Sequence, residues 1–232
     1  MRTLVIFFLA AFLFVCCNSN QTVAPEGYTV TGTAEGCTDG DTVYLCRMEG
    51  FLDVVPTDTT VVRGGQFRFE GKADGAQLRF VVPTHKGSAV AMTVMVLENA
   101  DIHVALTAGG RADSIKGGPS QALYEEFLDG STKISQQLQM AWEVANDTVA
   151  TDRMRLNAEI TIDSLMELQT NYRKQFIISH IPSAASDLIF GQCEHDFSDA
   201  DRDELLRLLG EQQPQYPAYR AAMEEKKVKS GK

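Results

Sequence analysis

"DTTVVRGGQFRFE" (residues 58–70) contains two strand-like segments on either side of a Gly64-Gly65 turn. Phe67 and Phe69 alternate with polar residues, and successive side chains of a strand point to opposite faces, so both should lie on the same face. Glycine pairs between such runs are typical of tight turns. The segment therefore predicts a β-hairpin with one buried face.

Short alternating runs of the same kind extend from Tyr28 to Leu106, with a second hairpin turn predicted at residues 38–41. The runs cover residues 28–33, 42–46, 58–62, 66–70, 77–82, 90–97 and 102–106. Many short strands at close spacing are typical of antiparallel sheets. We expect an antiparallel β-sandwich or a partly open barrel of about seven or eight strands.

The second half of the chain has the apolar period of helices, after a glycine-rich connector at residues 109–120. A short helix is predicted to end at Asp129-Gly130, followed by a long antiparallel helix pair that breaks near Asn146 and closes before Pro182. Shorter helices should begin after Ser183 and at a Ser198 cap. The predicted fold class is α+β, with the helices packed against one face or end of the sheets because neither half covers its own apolar residues.

The N-terminus has one cation, an apolar run at residues 4–15, and then Cys16 and Cys17. The run is shorter than the about 20 residues needed to cross a bilayer. It resembles bacterial lipoprotein signals, in which a cysteine becomes the lipid-modified first residue. The resemblance implies lipid attachment at Cys17, with Cys16 as the alternative; ordinary secretion with cleavage nearby also fits.

The expected organisation follows from these segments. It comprises a signal peptide (1–16), a polar tether (17–27), a β-rich domain (28–118), a helical region packed on it (119–225) and a disordered basic tail (226–232). The lipoprotein resemblance implies a membrane-anchored protein of the bacterial cell envelope. No acidic cluster follows the cysteines, which favours a periplasm-facing position. Of the two membranes, we expect the outer rather than the inner.

The composition excludes some classes of partner. The chain has 21 basic and 31 acidic residues and a formal net charge of −10, which argues against nucleic-acid binding. Its 44% hydrophobic content is too high for a disordered chain.

Several short motifs occur in a familiar order. They are Asp58-Thr59 and residues 65–71, 96–102, 116–121 and 176–183. Together they resemble the uncharacterised N-terminal envelope domain that usually precedes a thioredoxin-like, peroxiredoxin-related domain in bacterial lipid-anchored disulfide reductases. Cys-x-x-Cys is absent from this sequence, so we expect the companion domain here without the redox domain.

No motif assembles a convincing catalytic or metal site. Residues two apart on a helix do not face each other, so Cys193 and His195 within the run Cys193-Glu194-His195-Asp196 should not act together. Asp199, Asp201 and Asp203 imitate a calcium loop, but Glu204 and Gly210 stand where that loop needs glycine and glutamate, so a helix cap is expected. We predict no enzyme activity, no cofactor and no metal.

The remaining candidates have structural interpretations. Residues 109–118 lack the Gly-Lys-Ser/Thr of a phosphate loop, His85 and His103 lack readable partners, and His180 should cap a helix. Trp142 is expected in the core, with a ligand groove between helices and sheet as the alternative. Cys37 and Cys46 flank one predicted hairpin, and the sequence does not decide whether they form a disulfide.

The predicted function is a non-catalytic, lipid-anchored cell-envelope module that binds or scaffolds an unknown ligand. Its partners would be membrane lipid and an envelope protein. The alternative is an accessory role in periplasmic thiol-disulfide exchange, in which Cys193 or Cys46 pairs transiently with a separate thioredoxin-like protein. The oligomeric state is not predicted.

Overall fold

The computed structural model describes residues 25–49, 53–90, 92–107 and 112–230. The predicted signal peptide, Cys16, Cys17 and most of the tether lie outside the described residues. Within the described parts the protein is α+β, with a β-rich half followed by helices, so the predicted fold class is confirmed.

The described strands form two sheets. They are β1 (Tyr28–Ala34), β2 (Thr42–Glu49), β3 (Asp53–Val61), β4 (Gln66–Gly71), β5 (Gln77–His85), β6 (Ser88–Ala89), β7 (Thr93–Leu97), β8 (Asp101–Leu106) and β9 (Ala112–Lys116). One sheet has the order β4-β1-β8-β9; the other has the order β3-β2-β5-β6, with β7 also paired to β5. One of the two sheets curls into a half-barrel.

Both predicted hairpin turns carry the chain from one sheet to the other. The turn at residues 38–41 leads from β1 to β2, and Gly64-Gly65 leads from β3 to β4, so neither joins neighbouring strands. β4 pairs instead with β1, where Phe67 lies opposite Gly32. A Cβ at Gly32 would overlap the Phe67 ring, so the missing side chain is what allows this pairing. The expected antiparallel order also has one exception, because β1 and β8 are parallel.

The glycine-rich connector contains a strand that the sequence analysis did not predict. β9 pairs antiparallel with β8, with Val104 opposite Ile115. The chain then turns through Gly117 and Gly118, whose φ angles of 97° and 76° lie in the left-handed region that glycine tolerates. Among the described residues of the predicted connector, only Gly117 and Gly118 lie outside a strand or helix.

Five α-helices follow the sheets in the described chain. They are α1 (Pro119–Ala145), α2 (Asp152–Ser179), α3 (Ala184–Cys193), α4 (Asp199–Gln212) and α5 (Pro217–Ser230), with a single 3₁₀ turn at Glu194–Asp196. Ser183 and Ser198 cap α3 and α4 with their side chains, and the long antiparallel pair α1 and α2 is present. The basic segment expected to be disordered is helical through Ser230, as the end of α5, in which Ala222 is buried in the apolar cluster under the helices. Lys226 also pairs with Asp203.

Gly130 does not end a helix, contrary to the prediction. α1 passes through it without a break, and the Tyr172 hydroxyl lies where a Cβ at position 130 would be. The glycine marks a close approach of α2 to α1.

Two apolar clusters hold the fold together. The first lies between the sheets and includes Val30, Leu45, Phe67 and Met95. The second lies between the five-stranded sheet and the helices and includes Val96, Phe176, Ile177, Phe190 and Leu205. Neighbouring Met95 and Val96 belong to different clusters because alternate side chains of β7 face opposite sides of the sheet. The helices thus cover one sheet face, as expected.

Candidate interaction surface

The far part of the α1–α2 pair, residues 128–171, extends beyond both apolar clusters. We call it the distal hairpin; none of its residues belongs to either cluster. Its own seam consists of Ile134 and Ala141 on α1 and of Ala158 and Ile162 on α2, all buried. Helices of 27 and 28 residues are about 40 Å long, so this part of the pair is stabilised mainly by contacts with itself.

The distal hairpin exposes a concentration of apolar side chains. Ten of the seventeen exposed large apolar side chains in the described residues lie on it. They are Leu128, Met140, Trp142, Val144, Val149, Met154, Leu156, Ile160, Met166 and Leu168. They lie on several sides of the two helices, and three of them, Met140, Val144 and Met154, meet on one flank, where they form a candidate interaction site.

An uncharged groove runs between the two helices on one flank of the distal hairpin. Its volume is about 530 Å³. The lining residues are Gln137, Met140, Ala141, Val144, Met154, Asn157, Ala158, Thr161 and Leu165, and none of them is charged. The groove therefore presents apolar, amide and hydroxyl side chains without a formal charge.

Trp142 was expected in the core or in a groove between helices and sheet, and both expectations are wrong. Its side chain is 48% exposed on the distal hairpin. The helical period placed it correctly on an apolar stripe but could not show that nothing covers that stripe. The sequence did contain one indication of this exposure. α1 and α2 have more apolar residues than fit on the single stripe that a two-helix pair buries.

The cysteines do not form a reactive site in the described residues. Cys37, Cys46 and Cys193 are free thiols. Cys193 is buried, its Sγ donates to the Ile189 carbonyl at 3.0 Å, and desolvation raises its pKa to about 12. Burial also raises the pKa of Cys46. Thiolate is the reactive form, so neither cysteine is prepared for exchange chemistry.

Glu194 and His195 approach Glu225, and their potential ligand atoms lie within 4.8 Å of one another. Arg202 already bridges the carboxylates, donating to Glu194 at 2.9 and 3.2 Å and to Glu225 at 3.1 Å. Asp196 pairs with Arg173 at 2.5 Å. The guanidinium supplies the positive charge that a metal ion would otherwise bring, so the cluster is an ion-pair network between α4, α5 and the 3₁₀ turn.

The aspartates that imitate a calcium loop also have partners. Asp201 accepts from Lys174 and Ser198, and these hydrogen bonds hold its pKa below the ordinary value. Asp203 pairs with Lys226 at 2.6 Å. The helix-cap interpretation agrees with these contacts.

The histidines likewise have structural neighbours. His85 pairs with Asp41 at 2.8 Å, and the pKa of that carboxyl is lowered first by the backbone N–H of Thr38 and then by His85. His103 lies 3.3 Å from the Thr31 hydroxyl. His180 contacts the Phe176 carbonyl at 2.8 Å and is the C-cap of α2, as predicted.

Two further cavities lie nearer the sheets. A groove of about 520 Å³ between β5, α3 and α5 includes Leu78, Arg79 and Leu188. A cleft of about 580 Å³ where β3 approaches β4 includes Arg63, Arg68 and His103, but Arg68 also pairs with Glu70. Neither contains a group of residues arranged for catalysis. No described helix combines the length and apolar character that crossing a membrane requires.

The fold and these surfaces define an α+β protein with a two-sheet half, a helical half and exposed apolar side chains on its distal hairpin. Residues 28–124 match the protein family described as a domain of unknown function, DUF4369. The match covers the β-rich half and the first residues of α1, so the whole distal hairpin lies outside it. No curated protein matches the chain.

Proposed function

We propose that this chain is a non-catalytic binding or scaffolding module of the bacterial cell envelope. In this proposal an acylated Cys17 holds the chain at a membrane, and the distal hairpin binds a protein. The observation that carries the proposal is the concentration of exposed apolar side chains on that hairpin.

A protein suits this surface better than a lipid bilayer does. At the tip of the hairpin, Asp147 and Asp152 are balanced by Arg153 and Arg155, and the chain as a whole has a net charge of −10. Anionic headgroups attract clusters of basic residues, and the tip has no such excess of basic residues. The groove is also open along its length, whereas small-ligand sites enclose most of the ligand surface.

Site-specific photo-crosslinking in intact cells tests the proposal. A photoreactive amino acid replaces Thr161, which lines the groove, in the full chain; the control carries it at Thr170, nine residues further along α2 and so about 180° round the helix. We expect a discrete protein adduct from position 161 but not from position 170. The adduct should disappear when Met140→Glu adds a charge to the groove.

Other crosslinking results would contradict the proposal. Equal adducts from both positions, or an adduct that survives Met140→Glu, would show that the groove is not a specific binding surface. Adducts with lipid alone would show that the hairpin contacts the membrane and not a protein.

A further inference from the structure

We propose that the groove of the distal hairpin is the interface between two copies of this chain, whose hairpins pack together as a four-helix bundle. This inference rests on the proposed function and names the partner of its binding surface.

The first argument is the number of apolar stripes on each helix. A two-helix pair needs one stripe per helix, and Ile134, Ala141, Ala158 and Ile162 already form it. A second, uncharged stripe, in which five of the eight residues are apolar, lies beside it at three- and four-residue spacing: Gln137, Met140 and Val144 on α1, and Met154, Asn157, Thr161, Leu165 and Leu168 on α2. Helices of a four-helix bundle contact two neighbours each and therefore need a wider apolar face than a single seam.

The second argument is the charge of the surface. Two copies that each carry a net charge of −10 repel one another unless they meet through uncharged surface. The groove is uncharged over all of its lining residues. A two-fold axis along it would bring the amides of Gln137 and Asn157 near their counterparts, and amides both donate and accept hydrogen bonds.

The third argument is the area available. Met140, Val144, Met154 and Leu168 are 58%, 38%, 51% and 48% exposed. Covering four half-exposed side chains removes roughly 200 Å² of apolar surface from water, to which the aliphatic parts of the groove's polar residues add. A standard interface buries about 800 Å² per partner, a little over half of it apolar. The four side chains supply less than half of that apolar area, so the interface is small and the association weak, and we expect a dissociation constant on the order of micromolar.

Sedimentation of the full chain tests this inference. The chain is extracted in a density-matched detergent, with micelles in large excess over protein so that two chains do not share a micelle by chance. We expect the protein mass to change from one copy to two as the concentration rises through the micromolar range. Met154→Glu should raise the dissociation constant at least about tenfold, because two-fold symmetry puts a carboxylate from each copy into the interface.

Met166→Glu is the matched control. Met154 and Met166 are 51% and 52% exposed on the same helix, but Met166 is twelve residues away, about 120° round the helix, and does not line the groove. The control should dimerise like the wild type. Methionine and glutamate have similar helix propensities, so both variants should keep the wild-type circular dichroism.

Three results would overturn the inference. The wild type could stay a monomer up to about 100 µM, Met166→Glu could weaken the dimer as much as Met154→Glu, or Met154→Glu could leave the dissociation constant unchanged. A monomeric chain whose position 161 crosslinks to a different envelope protein would end the two-copy inference and leave the proposed function intact. A monomeric chain without such an adduct would end both.

Discussion

Glu98, at the end of β7, caps the first turn of α1 through Ser120. Its Oε1 accepts from the Ser120 backbone N–H at 2.7 Å, and its Oε2 accepts from the Ser120 hydroxyl at 2.8 Å. Gly118, the N-cap residue, has no side chain that could do this. In the same turn the side-chain oxygen of Gln121 accepts from the Val96 backbone N–H at 2.8 Å. The helical half is therefore joined to the sheet by buried polar contacts as well as by apolar packing.

Removing this carboxylate should weaken the whole fold. Glu98→Ala leaves the buried Ser120 hydroxyl and backbone N–H without their partner, and hydrogen bonds to charged groups contribute about 1.5–3 kcal/mol each. We expect the free energy of unfolding in urea to fall by about 3 kcal/mol, and by less for Glu98→Gln, which keeps an acceptor. Glu167→Ala, on the exposed face of α2, serves as the control. A loss of unfolding free energy no larger than that of Glu167→Ala would show that the Glu98–Ser120 contact does not stabilise the fold.

Gly130→Ala should destabilise the protein, although alanine is favoured over glycine by about 1 kcal/mol inside an ordinary helix. The new Cβ would overlap the Tyr172 hydroxyl, which donates to the Phe127 carbonyl at 3.2 Å while its ring stacks on Phe127 with centroids 5.8 Å apart. Urea unfolding measures the change. In a Tyr172→Ala background the same substitution should become neutral or stabilising; destabilisation that persists there would show that Tyr172 is not the cause.

The sequence predicts the fold class because the two apolar periods differ along the chain. Alternation through Phe67 and Phe69 and helical spacing through Ile134 and Ile162 both correspond to buried faces in the structure. Strand pairing could not be predicted in the same way. Gly64-Gly65 indicates a reversal of the chain, but the next strand pairs with β1 because Gly32 leaves space for Phe67.

The exposed apolar surface of the distal hairpin was only partly predictable. The apolar stripe containing Trp142 is visible in the sequence, but whether another element covers it depends on the tertiary structure. Gly130 shows the same limitation, since a glycine that ends one helix and a glycine that admits a neighbouring tyrosine look alike in sequence. The burial of Cys193 likewise depends on tertiary packing and could not be predicted from the sequence.

Burial of Cys193 predicts a loss of stability at alkaline pH. Its pKa is raised from 9.0 to about 12, mainly by desolvation. The folded state therefore holds the proton more strongly than the unfolded state does. The resulting stability is fully present below the ordinary thiol pKa and declines as the pH rises through the folded value, by up to about 1 kcal/mol for each pH unit.

The Cys193→Ala variant isolates this contribution. Several tyrosines with raised pKa values, including Tyr124, titrate in the same range and are common to both proteins. The difference in unfolding free energy between wild type and variant should be constant below about pH 8 and should shrink from about pH 9 upward. A difference that does not change with pH would mean that the thiolate is tolerated inside the fold.

The proposed lipid anchor predicts the chemical state of the N-terminus. Mass spectrometry of the native protein should find a diacylated or triacylated Cys17, and the protein should partition into the membrane fraction. Buried acyl chains contribute about 0.8 kcal/mol per methylene, so two or three chains hold a soluble domain firmly. The Cys17→Ala variant should lack the acyl chains, whereas the Cys16→Ala variant should still carry them. An unprocessed Met1 or an unmodified first residue would contradict the anchor.

Asp187 should control whether α5 stays attached to the body of the protein. Its two carboxylate oxygens accept from the backbone N–H groups of Ala218 and Tyr219, both at 2.9 Å, in the first turn of α5. The side chain is buried, and desolvation is the main cause of its raised pKa. Asp187→Ala removes both acceptors at once.

We expect Asp187→Ala to lower the free energy of unfolding by about 1–3 kcal/mol and to speed tryptic cleavage after Lys226 and Lys227, since α5 would detach more often. Asp199→Ala, an exposed acid in the first turn of α4, should leave cleavage unchanged. The pH adds a second test. A raised carboxyl pKa means that the folded state binds the proton more strongly than the unfolded state does. The advantage in unfolding free energy of the wild type over Asp187→Asn should therefore be largest below the ordinary carboxyl pKa. It should decrease as the pH rises through the pKa of the folded state. An advantage that grows over that range would show that ionised Asp187 is stabilised in the fold.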